Sequence, residues 1–311
     1  MVGQDMPASL AAEGCLMLQA LLDELKPLPN LQLILPLDRR CVGLNLPDNA
    51  QLVWIDGSQP LQTWLSALIA SSDAVWPIAP ETDEILSKIA ASVTAQDKTL
   101  LLSSPAAVAL CSDKLATYQA LAAAKIAAVV TKPLLAVADY KAVIKPRDGV
   151  GCQGGFICDN QQQLSTAMAD INAEDYLIQP YVAGQAVSLS CLFKDTQAWL
   201  LCCNQQQIVE KNQQFNLQAC KVNVANPQRS FYQQLIQQVA QAIPGLWGYI
   251  GIDLIESAQG PLILEVNPRL TTSYVGIQAA TGLNVAQQVL TLLHDKPLLQ
   301  HSRQQTVVIT I

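Results

Sequence analysis

"LILEVNPRLTTSYVG", from Leu262 to Gly276, sets a carboxylate, an amide and a guanidinium into an otherwise apolar strand. Side chains two apart on a strand share a face. Leu264 and Val266 are therefore expected in a core, with Glu265, Asn267 and Arg269 lining the opposite side. The run just upstream, "GYIGIDLIES" (Gly248 to Ser257), reads as a second strand with a lone acid, Asp253, and "SAQGP" turns the chain between the two. A hairpin centred near Gln259 sets Asp253 opposite Glu265. Like charges opposed across paired strands repel, and a half-buried pair must take up a proton or find a cation. Two carboxylates and the Asn267 amide form an all-oxygen set suited to Mg2+ or Mn2+, shared with water and phosphate oxygens. The competing reading has Arg269 simply neutralise Glu265 on a solvated face, and it leaves Asp253 unexplained.

Outward from this hairpin, the 311 residues suffice for two or three compact units around a large core. A net charge of -7 argues against general affinity for nucleic acid or anionic membrane, because no basic stripe is available to neutralise phosphates. Small molecules are the expected partners. No apolar run reaches membrane-spanning length and the N-terminus carries no basic segment ahead of an apolar core, so a cytoplasmic location is expected. The nine cysteines form no CxxC pair, and Cys191, Cys202 and Cys203 sit in apolar runs, as reduced core residues do. With only His294 and His301 available, histidine chemistry is not expected. The sequence leaves a homo-oligomer open.

Strand and helix alternate early in the chain. "SLAAEGCLMLQALLDEL" reads as a helix, "LQLILPL" and "QLVWID" as strands, "LQTWLSALIA" as a helix, "DAVWPIAP" as a strand, "DEILSKIAASV" as a helix and "KTLLLSS" as a strand. This pitch means a small parallel sheet covered by helices over residues 1–103. The chain opens on "MVGQDMP" and a helix where a first strand is expected. Then "CSDKLATYQALAAAKI" reads as one helix capped by Ser112, with Lys114 in its first turn, where the helix dipole disfavours a cation unless an anion lies near. "YKAVIKPRDGVGCQGGFIC" gives a strand ending in Lys145, a flap with Gly149, Gly151, Gly154 and Gly155, and a return strand. Backbone amides of such a flap approach phosphate closely; an ordinary glycine-rich hairpin is the other reading. "EDYLIQPYVAGQAVSLSCLF" is two strands joined by "VAG", either a linker that offers backbone groups to a flat heterocycle or a plain hairpin. The glutamine runs at 161–163 and 205–207 read as local bias.

The order of these parts, closing on "LEVNPR", resembles the ATP-grasp superfamily across essentially the whole chain. The resemblance implies a mixed α/β fold, with a parallel pre-ATP-grasp sheet domain at 1–103 followed by two α+β subdomains, 104–190 and 191–311, that clamp ATP between them. It implies phosphate contacts from Lys114 and Lys145 under the flap. Adenine contacts fall to Gln179, Tyr181 and Val182, metal ligation to Asp253, Glu265 and Asn267, and the phosphate side to Arg269. Many members hold the ribose with an acid just after the linker; here Gly184 and Gln185 stand there, and Gln185 is the candidate for a ribose hydroxyl. The implied reaction phosphorylates a carboxylate and lets an amine displace the phosphate, with Lys145, Arg269 and Mg2+ neutralising the phosphoryl oxygens. Thr271, Thr272 and Ser273 either receive a substrate anion or cap a helix.

"GQDMPASLAAEGCLML", "PLDRR", "IAPETD" and "CCNQQQI" are similar to the branch containing tyramine-glutamate ligases of methanofuran-type cofactor synthesis. That similarity implies glutamate as the acid and an aromatic amine as acceptor. Asp38, Arg39 and Glu81 are then candidates to contact substrate, or else surface ion pairs. Two rival classes are an ATP-grasp enzyme of different acid and amine, or of carboxylation chemistry, and a non-catalytic nucleotide-binding partner.

Overall fold

The computed structural model describes residues 8–38, 41, 43–134, 141–150, 154–169 and 171–311. In chain order the elements are α1 (Ala8–Leu25), β1 (Leu33–Asp38), β2 (Ala50–Ile55), α2 (Leu61–Ala70), β3 (Ala74–Val75), α3 (Ile85–Ala95), β4 (Thr99–Leu100), α4 (Pro105–Ser112) and α5 (Lys114–Ala123). There follow β5 (Lys132–Pro133), β6 (Ala142–Pro146), β7 (Phe156–Cys158), α6 (Gln161–Ala167), β8 (Tyr176–Pro180), β9 (Gly184–Lys194), β10 (Gln197–Lys211) and β11 (Gln214–Val222). The chain ends with α7 (Arg229–Ala242), β12 (Gly248–Ser257), β13 (Gly260–Asn267), α8 (Tyr274–Thr281), α9 (Val285–Thr291) and β14 (Val307–Thr310).

Six strands in the order β13-β12-β9-β10-β11-β14 make the main antiparallel sheet, and β5-β8-β6-β7 make a smaller one. On the large sheet, Leu189, Cys191, Phe193 and Ile252 meet Leu235, Ile236 and Val239 of α7. The opposite face supplies Leu192, Cys202 and Tyr249 to a second core with Tyr274, Ile277 and Val289. The small sheet has its own core of Leu134, Ile144, Leu164 and Ile178. Burial of this apolar surface, at roughly 25 cal/mol per Å², is what the alternating patterns of these strands secure.

Four sequence expectations change. The single parallel sheet is two separate parallel pairs, β1 with β2 and β3 with β4. Pro77 and Pro80 cannot donate to a ladder, and β3 is only two residues long. Helix α1 packs its apolar stripe, Met17, Leu21 and Leu25, into the core of the large sheet rather than over β1 and β2. The expected helix from Cys111 is two helices broken at Asp113, whose extended backbone caps α5 by accepting from Leu115 N at 2.9 Å and Ala116 N at 3.1 Å. Ser112 instead donates back to Val108 O. Gln161–163 open α6, with Asn160 as cap.

The "VAG" segment joins two sheets: β8 belongs to the small sheet and β9 to the large one. A plain hairpin is thereby set aside. Among the described residues no helix is long and apolar enough to cross a membrane.

Candidate active site

Strands β12 and β13 are joined by a two-residue turn, so that Ser257 pairs with Gly260 and Leu254 with Ile263. One extra residue, Leu264, then enters β13 as a bulge and shifts the register, and Asp253 faces Glu265. A bulge re-aims side chains because the extra residue interrupts the two-residue alternation. Ile263 and Val266 go into the core, whereas Leu264 lines a cleft with Glu81, Lys114, Gly149, Glu265 and Asn267. The expectation of Leu264 in the core is corrected by that bulge; the opposition of the two acids is not affected.

Both oxygens of Asp253 accept from amides: Oδ1 from Gln206 Nε2 at 3.0 Å and Oδ2 from Asn267 Nδ2 at 2.9 Å. Burial first, then the charge of Glu265, pushes its carboxyl well above the usual range. Burial also works against the charge of Glu265, yet Lys145, with Nζ 2.9 Å from Oε1, and next Lys114 hold that carboxyl well below its ordinary value. Among the described residues Glu265 is thus paired with an ammonium group, while the two oxygens of Asp253 are bonded by amides. Two carboxylates facing each other across the hairpin, with the Asn267 amide bonded to one of them, are a donor set that fits a hard divalent ion completed by phosphate and water. Among the described residues no group of three or more His, Cys, Asp or Glu side chains forms a closed metal cage.

Lys114 opens α5 and donates from Nζ to Gly149 O at 3.1 Å, and its backbone amide donates to Arg147 O. Burial draws its pKa down. Arg147, at the base of the flap, holds Asp113 through Nε at 3.0 Å and Nη2 at 2.6 Å. Gly149 has φ +126°, a conformation closed to ordinary side chains. Gly154 (φ +68°) and Gly155 complete the described flap; Gly151 lies outside the described residues.

At the linker, the Gln179 side chain is buried and donates to Thr131 Oγ1 at 2.8 Å, leaving any base contact there to its backbone. Tyr181 N donates to Lys141 O, its hydroxyl donates to Glu210, and the Lys141 ammonium stands 3.9 Å over its ring. Val182 is half-buried, and Gln185 is exposed and pairs with Glu256. Glu210, from the far end of β10, is the acid that stands beside this segment, held by Tyr181 and Lys141.

Arg269 donates from Nε to Glu81 Oε2 at 2.7 Å and from Nη1 to Leu270 O at 3.0 Å. The three hydroxyls that follow are occupied by protein partners. Thr271 and Ser273 join a buried network with Tyr249 and Ser190, which Asn204 also contacts. Thr272 donates to Glu13 of α1. Ser273 makes no side-chain cap, which sets aside the helix-cap expectation for that hydroxyl. Asp38 ends β1, and Arg39 lies outside the described residues.

Gln206 was hidden in a glutamine run; its signal is its place on β10, two residues from the buried Asn204. Glu13 gave none, since nothing local in α1 tells of Thr272.

Residues 31–108 match the pre ATP-grasp 3 domain and residues 111–273 match the ATP-grasp domain. The tyramine–L-glutamate ligase of Methanocaldococcus fervens is 27% identical over 239 residues, 76% of this chain and 72% of that protein. The crystal structure of an Archaeoglobus fulgidus protein described as of the ATP-grasp superfamily superposes with TM-score 0.72 at 22% identity, covering 99% of this chain and 89% of that one. The biotin carboxylase domain of Hydrogenobacter thermophilus 2-oxoglutarate carboxylase, solved with MgADP, gives TM-score 0.74 at 16% identity over 94% and 71% of the two chains. The chain belongs to the ATP-grasp family, among its ATP-dependent carbon–nitrogen ligases.

Proposed function

We propose that this enzyme joins glutamate to tyramine or a related aromatic amine, as in methanofuran-type cofactor synthesis, at the expense of ATP and with Mg2+ or Mn2+. The observation that carries the ligase chemistry is the opposition of Asp253 and Glu265 beneath Lys145, with Arg269 at the end of the same strand run. The relative from M. fervens, named for tyramine and glutamate, supports the choice of substrates. The nucleotide lies between segments 104–190 and 191–311, and the reaction takes place in the cytoplasm on small molecules.

Attack of a carboxylate on the terminal phosphate brings anion towards anion. Lys145 and Arg269 stabilise the charge that gathers on the phosphoryl oxygens, and Lys114 anchors the flap that covers them. Asp253, Glu265 and Asn267 hold the divalent ion, which when bound supplies further neutralisation of the phosphates. The acid oxygen forms a bond to phosphorus as ADP leaves; the amine nitrogen then forms the amide bond as phosphate leaves and its proton passes to solvent. No side-chain nucleophile takes part.

The test is ADP release from Mg-ATP with glutamate and tyramine together, against each alone. Release that needs both supports the pair. Release with glutamate alone keeps the acid and leaves the amine open. Silence in every mixture, with ATP bound, rejects the proposed substrates.

A further inference from the structure

We propose that Glu81 is a positioning residue, which fixes the Arg269 guanidinium so that its free edge meets the terminal phosphate. The inference rests on the nucleotide reading of this site and adds to it a component from the N-terminal segment. A guanidinium carries five donors in one plane. Here Nε is held by Glu81 at 2.7 Å and Nη1 by the Leu270 carbonyl at 3.0 Å, while Nη2 has no hydrogen bond among the described residues. Two fixed edges leave the third oriented.

Glu81 is itself fixed. Its side chain is 6% exposed, and that of Arg269 14%. It lies at the head of a turn in which Asp83 and Glu84 both adopt left-handed backbone, φ +55° and +59°. Each such residue costs about 1–2 kcal/mol, a strain that persists only where surroundings over-determine the turn. The constraints are visible: Leu86, fully buried, anchors the turn to its core and donates its amide to Pro80 O at 3.2 Å. Asp83 N donates at 3.0 Å to Asp148 in the flap. One strained turn thus bonds both the flap above the phosphates and the arginine beside them.

Two substitutions separate positioning from simple charge balance. Glu81→Gln keeps the length and an acceptor oxygen but removes the charge; Glu81→Asp keeps the charge but is one methylene short of Nε. Affinities for a non-hydrolysable ATP analogue and for ADP, both with Mg2+, are measured by calorimetry on the full chain, with Arg269→Ala as reference. Positioning predicts that Arg269→Ala and Glu81→Asp each lower the preference for the triphosphate about tenfold, and that Glu81→Gln stays within threefold of wild type. In turnover, kcat follows the same order while the KM values for acid and amine stay within threefold. The reverse order, Gln losing the preference and Asp keeping it, overturns the proposal in favour of charge alone. An unchanged preference in Arg269→Ala or in Glu81→Asp also overturns it. The binding ratio needs no turnover, so loss of the glutamate and tyramine assignment leaves this test standing.

Discussion

Gly251 sits in the middle of the large sheet, paired with Asn267 on one side and Ser190 on the other. A Cβ added there meets Thr271 Cγ2 at 2.5 Å, Oγ1 at 3.2 Å and Cβ at 3.4 Å. Carbon atoms pack at about 3.5–4.0 Å, so in Gly251→Ala the threonine must retreat by about 1 Å, because the doubly paired backbone cannot. Overpacking costs about 1–3 kcal/mol. The threonine hydroxyl also stands 3.0 Å from both Tyr249 and Ser273, and each bond lost in this buried network costs about 1 kcal/mol. Relief of the glycine entropy returns up to about 1 kcal/mol. The net expectation is a loss of about 2–3 kcal/mol in urea unfolding, with weaker ADP release because Thr271 follows Arg269 by two residues. The clash is with one methyl group, and Thr271→Ser removes that methyl while keeping the hydroxyl. The double variant Gly251→Ala with Thr271→Ser is therefore expected to regain at least half of the lost stability and most of the turnover. A single variant within about 0.5 kcal/mol of wild type, or a double variant no better than the single, would refute the reasoning.

Glu24 is buried and accepts from Tyr274 Oη and Ala286 N, both at 2.7 Å, and burial pushes its carboxyl up to about 7. Its folded pKa lies above the unfolded value near 4.5, so the folded state holds the extra proton between those values, and stability falls as pH rises from about 4.5 to 7. Glu24→Gln keeps an acceptor and cannot ionise, so its stability relative to wild type should rise across that window by at most about 3 kcal/mol; parallel pH profiles of the two proteins would count against the assignment. Glu265→Gln should abolish ADP release while circular dichroism and cooperative unfolding persist. Full activity in that variant would remove Glu265 from the metal set.

The hairpin was legible because its evidence is local: an acid in each of two adjacent apolar strands, with a turn short enough to count across. The same counting misjudged Leu264, because a bulge costs one residue and leaves no mark in composition; here the turn is tighter than expected, and the bulge restores the facing of Asp253 and Glu265. Lys114 and Lys145 were readable from their places at a helix start and a strand end. Partners far apart in sequence were not. Glu81 stands 188 residues from Arg269, and Glu13 stands 259 from Thr272, and no periodicity within either segment carries that information. Helix α1 is legible from its helical apolar spacing, but an apolar stripe states only that it must be covered, and its cover is α8 and α9 of the other end of the chain. The break at Asp113 was missed because alanine and leucine favour helix on both sides, while an aspartate that caps the second helix also ends the first.

Only two short stretches, residues 130–131 ahead of β5 and 181–183 after β8, carry the chain between the small sheet and the region of the large one, and this separates what melts together from what does not. Links from the small sheet to its surroundings include Lys145–Glu265, Arg147–Asp113, Lys141–Glu210 and the Ile157 amide on Gln213 O. Such contacts exchange readily for water, in contrast to the shared apolar cores that bind α7 and α8 to the large sheet. The small sheet, with a core of its own, is accordingly expected to open as a separate unit, its amide protons exchanging with solvent while the large sheet stays intact. A nucleotide gripped by Lys145 from one unit and Asp253 from the other would act as the missing apolar core between them, and would fuse two exchange regimes into one.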